Sequence, residues 1–253
     1  MTALPDTYVL WVELWIGIAA ITFVSLFFIA APYGRHHREG WGPTVPDRVG
    51  WILMEAPASL LVLGWFLWGG DLSSTAAWVL MGLWQLHYLH RAFIYPLRKR
   101  ADGRRMPLAI VAMALVFNGV NSALIGWEVF VHRSYPLAWL SDPRFLAGAA
   151  LFLLGYAINK HSDRVLRGLR APGETGHRIP RGGLYRWISC PNYLGEILEW
   201  VGFAVLSWSL AGVAFAAWTI ANLAPRALDH HRWYRERFPD YPPERRALIP
   251  AIW

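Results

Sequence analysis

The chain has 253 residues, a formal net charge of +7 and a hydrophobic content of 55%, with only 16% charged residues. So apolar a composition is not that of a soluble domain of this length, and it predicts a membrane protein. The single cysteine, Cys190, excludes an internal disulfide and a cysteine-based metal site. Because the positive charge lies in loops between apolar runs, it favours membrane topology over nucleic-acid binding.

Seven apolar runs along the chain each approach the ~20 residues that span a bilayer. The sixth and seventh runs are joined by so few residues that they are expected to form a tight antiparallel hairpin. We therefore predict an all-α fold, an integral membrane bundle of seven transmembrane helices. The runs cover residues 8–31, 50–69, 74–95, 107–130, 144–162, 191–207 and 209–226.

The distribution of basic residues predicts the orientation of this bundle. Every Lys and Arg lies in the loops after runs 1, 3 and 5 or in the C-terminal tail, except Arg91, Arg133 and Arg144. Because basic loops stay on the cytoplasmic side, the N-terminus is expected outside and the C-terminus in the cytoplasm. We interpret the chain as a multi-pass protein of a bacterial inner membrane.

Two polar helix faces flank a basic loop in the C-terminal half. The loop contains Pro180 and the pair Gly182-Gly183, which predict a turn with bare backbone. Basic loops usually only set topology, but polar groups inside apolar helices are costly and tend to be functional. The pattern therefore predicts a site for a large anionic ligand. At helical spacing, one face holds Asn159, Asp163, Arg167 and Arg170, and the other holds Asn192, Glu196 and Glu199.

A third polar stripe follows the seventh run. Asn222, Arg226, His230 and Tyr234 are each four residues apart, so a continuous helix would place them on one face. A solvated juxtamembrane helix is the alternative. If the stripe points inward, it suits a dinucleotide, because arginine binds phosphates and the aromatic rings stack.

Polar groups also interrupt the apolar runs of the N-terminal half. Glu55 lies inside the second run, where a carboxylate is expensive unless it is protonated, paired or solvated. The third run ends in His87-Tyr88-Leu89-His90-Arg91, which is more polar than an interfacial aromatic belt. Glu128, near the outer end of the fourth run, is interpreted as an interfacial residue.

These segments together resemble the steroid 5α-reductase family. The resemblance rests on N-x-H-S-D at 159–163, R-I-P-x-G-G-L at 178–184 and P-N-Y-L-G-E-I-L-E-W at 191–200, with H-Y-L-H-R at 87–91 upstream. It implies NADPH-dependent reduction of the Δ4 double bond of 3-oxosteroids to 5α-3-oxosteroids. It also implies one reductase domain, 1–253, with substrate-side helices in 1–130 and a cofactor-binding region in 144–253. His177 departs from the family, which usually has tyrosine there.

The resemblance implies roles for individual residues. Tyr88 would donate to the ketone oxygen, Glu55, expected to be protonated, would donate a second hydrogen bond or orient Tyr88, and Trp51 would line the steroid slot. Gly182 and Gly183 would leave room for the cofactor. The implied partners are an apolar enone and membrane lipid, with no nucleic acid, metal or protein partner. The implied cofactor residues are Asn159, Asp163, Arg170, Arg178, Asn192, Glu196, Arg226, His230, Tyr234 and Arg245.

Two alternatives stay open on the residues alone. Pro191-Asn192-Tyr193-Leu194-Gly195-Glu196 also resembles a segment of integral-membrane methyltransferases of the isoprenylcysteine type, which use S-adenosylmethionine. A membrane scaffold without chemistry is the other alternative, and it leaves the polar groups Glu55, His87 and Arg91 without a purpose. No G-x-G-x-x-G follows a strand, so a Rossmann cofactor site is not supported.

Overall fold

The computed structural model describes residues 3–28, 42–98, 103, 105–169 and 176–253. Helices make up most of this part of the chain, and a two-stranded sheet is formed by β1 (Thr44–Pro46) and β2 (Arg105–Pro107). The helices are α1 (Asp6–Ser25), α2 (Asp47–Gly69), α3 (Thr75–Leu89), α4 (Tyr95–Arg98), α5 (Leu108–Ile125), α6 (Pro143–Gly168), α7 (Pro191–Ser207) and α8 (Leu210–Arg237). Two π-helical segments, His90–Ile94 and Gly126–His132, continue α3 and α5, and 3-10 turns cover Leu137–Ser141 and Gly183–Arg186.

The predicted apolar runs coincide with the long helices. Among the described residues, three segments are long and apolar enough to cross a bilayer: α1, α2 and Leu108–His132. The hairpin expected between the last two runs is confirmed, since α7 ends at Ser207, Trp208 adopts a left-handed conformation with φ of 48°, and α8 begins at Leu210. The antiparallel pair of β1 and β2 was not predicted, because it joins residues about 60 positions apart with no strand pattern in either.

The chain folds as two compact units. Unit 1 comprises Met1–Val12, Ala31–Phe145 and Ser209–Ala211. Unit 2 comprises Glu13–Ala30, Leu146–Trp208 and Gly212–Trp253. The single domain expected from the sequence stays a prediction.

Antiparallel packing of α2 against α3 organises unit 1. Trp84 donates its indole N–H to the carbonyl of Ala58 at 2.8 Å, and the Ser59 hydroxyl donates to the Gln85 side chain at 2.6 Å. Toward the other end of the pair, Arg48 donates to the carbonyl of Pro96 at 3.1 Å. These contacts fix the register of α2 against α3 and its continuation, so the residues between them face each other at known levels.

Glu128 is wholly buried in unit 1, which corrects its interpretation as an interfacial residue. Arg133 donates to its carboxylate through Nε at 2.8 Å and Nη2 at 2.7 Å, and the Tyr8 hydroxyl donates at 3.0 Å. The backbone N–H groups of Leu210 and Ala211 donate at 2.9 and 2.7 Å. Glu128 therefore caps the N-terminus of α8, where free N–H groups favour a negative charge.

Glycines allow α6 and α7 of unit 2 to approach backbone to backbone. A Cβ added at Gly155 would lie 2.4 Å from the backbone nitrogen of Glu199, and one added at Gly195 would lie 2.5 Å from that of Asn159. Gly148 and Gly202 repeat this pattern one heptad along each helix. Small residues at such spacing are typical of helix pairs in membranes, where close packing replaces the hydrophobic effect.

The C-terminal tail of unit 2 is fastened by main-chain hydrogen bonds. Arg246 donates its N–H to the carbonyl of Trp187 at 2.9 Å and accepts from the N–H of Ser189 at 2.8 Å, which makes a parallel bridge with Ile188. The N–H of Cys190 donates to the carbonyl of Ala247 at 3.1 Å. The tail thus adds to the loop that precedes α7, and it packs on an apolar cluster around Cys190, Ala227 and Leu248.

Candidate active site

The predicted catalytic carboxylate, that of Glu55, forms an ion pair in unit 1. The Glu55 carboxylate lies 3.4 Å from Nε of Arg91, and the two side chains are 17% and 23% exposed. The Arg91 guanidinium also lies 4.7 Å from the ring centroid of Trp51 and 5.5 Å from that of Tyr95. This geometry is that of an ion pair, in which Glu55 would be ionised. The protonated carboxyl expected from the sequence stays a prediction.

Tyr88, the predicted hydrogen-bond donor to the ketone, is buried in the same unit. Its side chain is 4% exposed, and its ring lies 4.9 Å from that of Trp84, one helical turn earlier. Because Ser59 contacts Gln85 and Glu55 contacts Arg91, Tyr88 lies at a level between these two pairs. The register thus places Tyr88 and Glu55 along the same stretch of the α2–α3 pair.

The π-helical segment after α3 positions Arg91. A π-helix carries one extra residue per turn and is frequent at functional sites. Trp51 donates its indole N–H to the carbonyl of Arg91 at 3.1 Å, which ties this widened turn to α2. Nothing in the residue pattern indicates a widened turn here, and Arg91 was not predicted as a site residue.

Three predicted residues meet where α6 crosses α7 in unit 2. The side-chain amide of Asn159 donates to the carbonyl of Asn192 at 2.9 Å and lies 3.5 Å from the Glu196 carboxylate. Asn159 is 3% exposed and Asp163, one turn further along α6, is 8% exposed. The close approach at Gly155 and Gly195 makes this contact possible, and the two predicted polar faces are confirmed to converge here.

The predicted stripe on α8 lies in unit 2 as well. The ring of His230 is 5.6 Å from that of Tyr193, and Tyr234, 2% exposed, stacks on Tyr241 with the ring centroids 5.3 Å apart. Arg226 is half-buried on the same helix. His177, the departure noted above, lies 4.8 Å from the ring of Trp233.

A hydrogen-bonded cluster holds the tail against α8. The hydroxyl oxygen of Ser189 lies 2.7 Å from Nδ1 of His231 and 2.7 Å from the hydroxyl of Tyr241. Burial lowers the pKa of His231, and the positive charges of Arg235 and Arg246 lower it further. His231 is therefore held in its neutral form, in which it takes part in this cluster without repelling the neighbouring arginines.

Two arginine side chains in unit 2 have buried N–H donors without a hydrogen-bond partner among the described residues. Arg245 is 3% exposed and lies 5.2 Å from the ring of Tyr241, yet its Nε and Nη1 have no hydrogen-bond partner among the residues that the structure describes. The same holds for Nη1 of Arg167 within the described ranges. Buried donors of this kind need acceptors, so both side chains fit an anionic ligand. Arg167 was placed on the polar face of α6 but not assigned to the site.

The remaining predicted residues lie at the surface, in the glycine turn or outside the described part of the chain. Arg178 is exposed, and Arg170 lies outside the described residues. Gly182 and Gly183 have φ of 99° and 52°, so the predicted turn with glycine backbone is present before the 3-10 turn. No cluster of metal-ligating side chains is found in the described part of the chain.

Comparison with known proteins identifies the family. A family model for 3-oxo-5-alpha-steroid 4-dehydrogenase matches residues 104–253. Steroid 5-alpha-reductase DET2 of Gossypium hirsutum is 42% identical over 241 residues, 93% of each chain, and 3-oxo-5-alpha-steroid 4-dehydrogenase 1 of Bos taurus is 41% identical over 240 residues, also 93% of each. The chain belongs to the steroid 5α-reductase family. The 3-oxo-5-alpha-steroid 4-dehydrogenase 1 of Homo sapiens is 41% identical over 225 residues, which are 87% of this chain and 86% of the human protein.

A steroid 5α-reductase is an oxidoreductase, which implies a nicotinamide cofactor. The residues of unit 2 fit such a group, because a dinucleotide offers phosphate and ribose oxygens to the donors that Arg245 and Arg167 leave unused. The match of the family model covers all of α7, α8 and the tail, so the elements that carry these side chains lie inside the matched segment.

Proposed function

We propose that this protein is an NADPH-dependent 3-oxo-5α-steroid 4-dehydrogenase, reducing the Δ4 double bond of a 3-oxosteroid to the 5α product. The observation that carries the proposal is its similarity to proteins named for this reaction, at 41–42% identity over 93% of the chain. The convergence of polar faces in unit 2 supports the cofactor assignment, and the Glu55–Arg91 pair with the buried Tyr88 supports the substrate assignment.

The proposed cofactor residues are those named from the sequence, with Arg167 added. Arginine side chains would bind the phosphates of NADPH, and the amides and carboxylates around Asn159 would bind its ribose and amide groups. When bound, the nicotinamide supplies a hydride to C5 of the steroid. The polar ends of unit 2 would keep the cofactor on the cytoplasmic side, because the basic loops lie there in the proposed topology.

Tyr88 and Glu55 would act on the ketone. As hydride adds to C5, negative charge develops on the C3 oxygen, and a positioned donor stabilises that charge. The Tyr88 hydroxyl is the proposed donor. Glu55, paired with Arg91, accepts hydrogen bonds and so orients Tyr88 rather than donating to the ketone itself. A proton from solvent would then complete the α-carbon, and Trp51 would line the apolar slot.

The remaining parts of the proposal concern setting and partners. We propose seven transmembrane helices in one domain, with the N-terminus outside and the C-terminus in the cytoplasm, in a bacterial inner membrane. The partners would be an apolar steroid-like enone, which enters from lipid, and the lipid itself. The exposed apolar side chains of α1, among them Leu10, Trp11 and Ile21, suit contact with acyl chains.

The test is NADPH oxidation by the purified protein with a panel of Δ4-3-ketosteroids, followed by determination of the configuration at C5. We expect oxidation that depends on the steroid and yields the 5α product. The matched control is the corresponding saturated 3-ketosteroid, which lacks the reducible bond. Binding of S-adenosylmethionine without binding of NADPH would instead support the methyltransferase alternative.

A further inference from the structure

The 3-10 turn Gly183–Arg186 buries a tyrosine that the sequence analysis did not single out. Tyr185 is 1% exposed, and its hydroxyl oxygen has no hydrogen-bond partner within the described residues. A buried hydroxyl without a partner lowers stability, because it has lost its bonds to water and gained none in the protein. Such a group in a folded protein calls for an explanation, and a ligand that binds there is one.

The surroundings of Tyr185 indicate which ligand. Burial raises the pKa of Tyr185, the Cys190 thiol raises it further, and so do its neighbours Asp163, Tyr234 and Tyr193. The hydroxyl therefore keeps its proton and stays a donor. These neighbours belong to α6, α8 and α7, and Asp163 and Tyr234 are among the proposed cofactor residues. The turn that carries Tyr185 also packs on α6, since Gly183 lies against His161, two residues before Asp163, so Tyr185 belongs to the part of unit 2 that holds the proposed cofactor residues.

The turn holds Tyr185 in a fixed place. A Cβ added at Gly183 would lie 2.5 Å from Nε2 of His161, so the imidazole packs directly on the glycine backbone. The N–H of Tyr185 donates to the carbonyl of Gly182 at 3.1 Å, and the N–H of Ile188 donates to that of Leu184 at 3.1 Å. Ile188 is in turn bridged to Arg246 of the tail. The backbone around Tyr185 is thus fixed on both sides.

We propose that the Tyr185 hydroxyl donates a hydrogen bond to a phosphate oxygen of the dinucleotide, as a further cofactor-binding residue of this chain. The inference rests on the proposed function. The other buried polar atoms that lack partners in the described part of this region include Nε and Nη1 of Arg245, which are donors only. A ligand that satisfies the Tyr185 hydroxyl and the Arg245 guanidinium must offer acceptor oxygens, and the phosphates of NADPH do.

The variant Tyr185→Phe tests the inference, because it removes only the hydroxyl oxygen. Without NADPH, the variant is expected to melt at the wild-type temperature or above it, since no hydrogen bond within the protein is lost. With NADPH, the rise in melting temperature is expected to be smaller than in wild type. The Kd for NADPH, measured by quenching of tryptophan fluorescence, is expected to rise roughly tenfold.

Tyr8→Phe is the matched control. The Tyr8 hydroxyl donates to Glu128 within unit 1, so its removal is expected to lower the melting temperature and leave the NADPH-induced rise unchanged. If wild type binds NADPH and Tyr185→Phe binds it equally well, this inference is overturned and the proposed function stands. If wild type binds no NADPH, the proposed function itself fails. A fall in the melting temperature of cofactor-free Tyr185→Phe, as large as that of Tyr8→Phe, would show that the hydroxyl has a partner in the protein.

Discussion

Arg91 changes what Glu55 is able to do. A carboxylic acid in an apolar helix would be protonated and could donate a hydrogen bond to a ketone. A carboxylate that faces a guanidinium 3.4 Å away is stabilised as the anion, which only accepts. The proposed division of roles is built on this contact: the Tyr88 hydroxyl would polarise the substrate, and Glu55 would keep that hydroxyl oriented.

This division predicts that Tyr88→Phe and Glu55→Gln both reduce turnover and leave NADPH binding intact. Removal of a positioned donor to a developing oxyanion commonly lowers kcat by about 10²- to 10³-fold, and we expect a loss of that order for Tyr88→Phe. Glu55→Gln keeps the shape but loses the charge that holds Arg91 and orients the phenol. The measurement is steroid-dependent NADPH oxidation beside NADPH affinity for each variant.

The control for these variants is Tyr8→Phe, which removes a phenol hydroxyl of unit 1 that we assign no part in the reaction. It is expected to retain wild-type kcat. Wild-type turnover in either Tyr88→Phe or Glu55→Gln would remove that residue from the catalytic role.

At the scale of elements, the pairing of α6 with α7 determines where the amides and carboxylates of unit 2 lie. The two backbones meet at Gly155 and Gly195, and the side chain of Asn159 reaches the main chain of α7 one turn beyond. A larger residue at either glycine would separate the helices. The geometry of the proposed cofactor site therefore depends on residues that carry no side chain at all.

Gly155→Ala is accordingly expected to destabilise the protein by about 1–3 kcal/mol, since the new methyl group would overlap the main chain of Glu199. The affinity for NADPH should fall with it, because Asn159 moves away from Asn192 and Glu196. Gly17→Ala is the matched control: a methyl group there meets nothing within 4 Å, and alanine favours the helix. Thermal unfolding in detergent compares the two variants. Equal stability of both would show that the close approach is not needed.

Periodicity and hydropathy were sufficient to predict the long helices, including the start of α7 at Pro191 and its hairpin with α8. They also grouped Asn159, Asn192 and Glu196 correctly. The pairing of β1 with β2, the widened turn at His90–Ile94 and the bridge between Ile188 and Arg246 were missed. Each of these depends on contacts between distant parts of the chain, which leave no periodic signal in the sequence. For the same reason, the burial of Tyr185 and the partners of Glu128 could not be predicted.

At the scale of the whole molecule, contacts within each unit agree with the proposed topology. In unit 1, Glu128 contacts both Tyr8 and Leu210, and all three residues are predicted to lie at the outer ends of their apolar runs. The strands β1 and β2, predicted on the cytoplasmic side, pair with each other. In unit 2, the tail bridges to the loop before α7, and both are predicted to lie in the cytoplasm.

The topology predicts opposite accessibility for two exposed positions, Ser73 and Glu236. In a chain whose only cysteine has been replaced by alanine, Ser73→Cys should react with an impermeant maleimide in intact spheroplasts. Glu236→Cys should react only after permeabilisation. Both positions are exposed, so neither requires the fold to open. If Glu236→Cys is labelled in intact spheroplasts and Ser73→Cys is not, the orientation is the opposite of the one proposed.

The burial of Glu128 has a consequence for biogenesis. Two of its hydrogen-bond donors, the N–H groups of Leu210 and Ala211, are synthesised about 80 residues after it. Until these residues have been synthesised, only Arg133 and Tyr8 can donate hydrogen bonds to the Glu128 carboxylate. A nascent chain that stops short of α8 therefore lacks two of the five hydrogen-bond donors that surround this carboxylate in the folded protein.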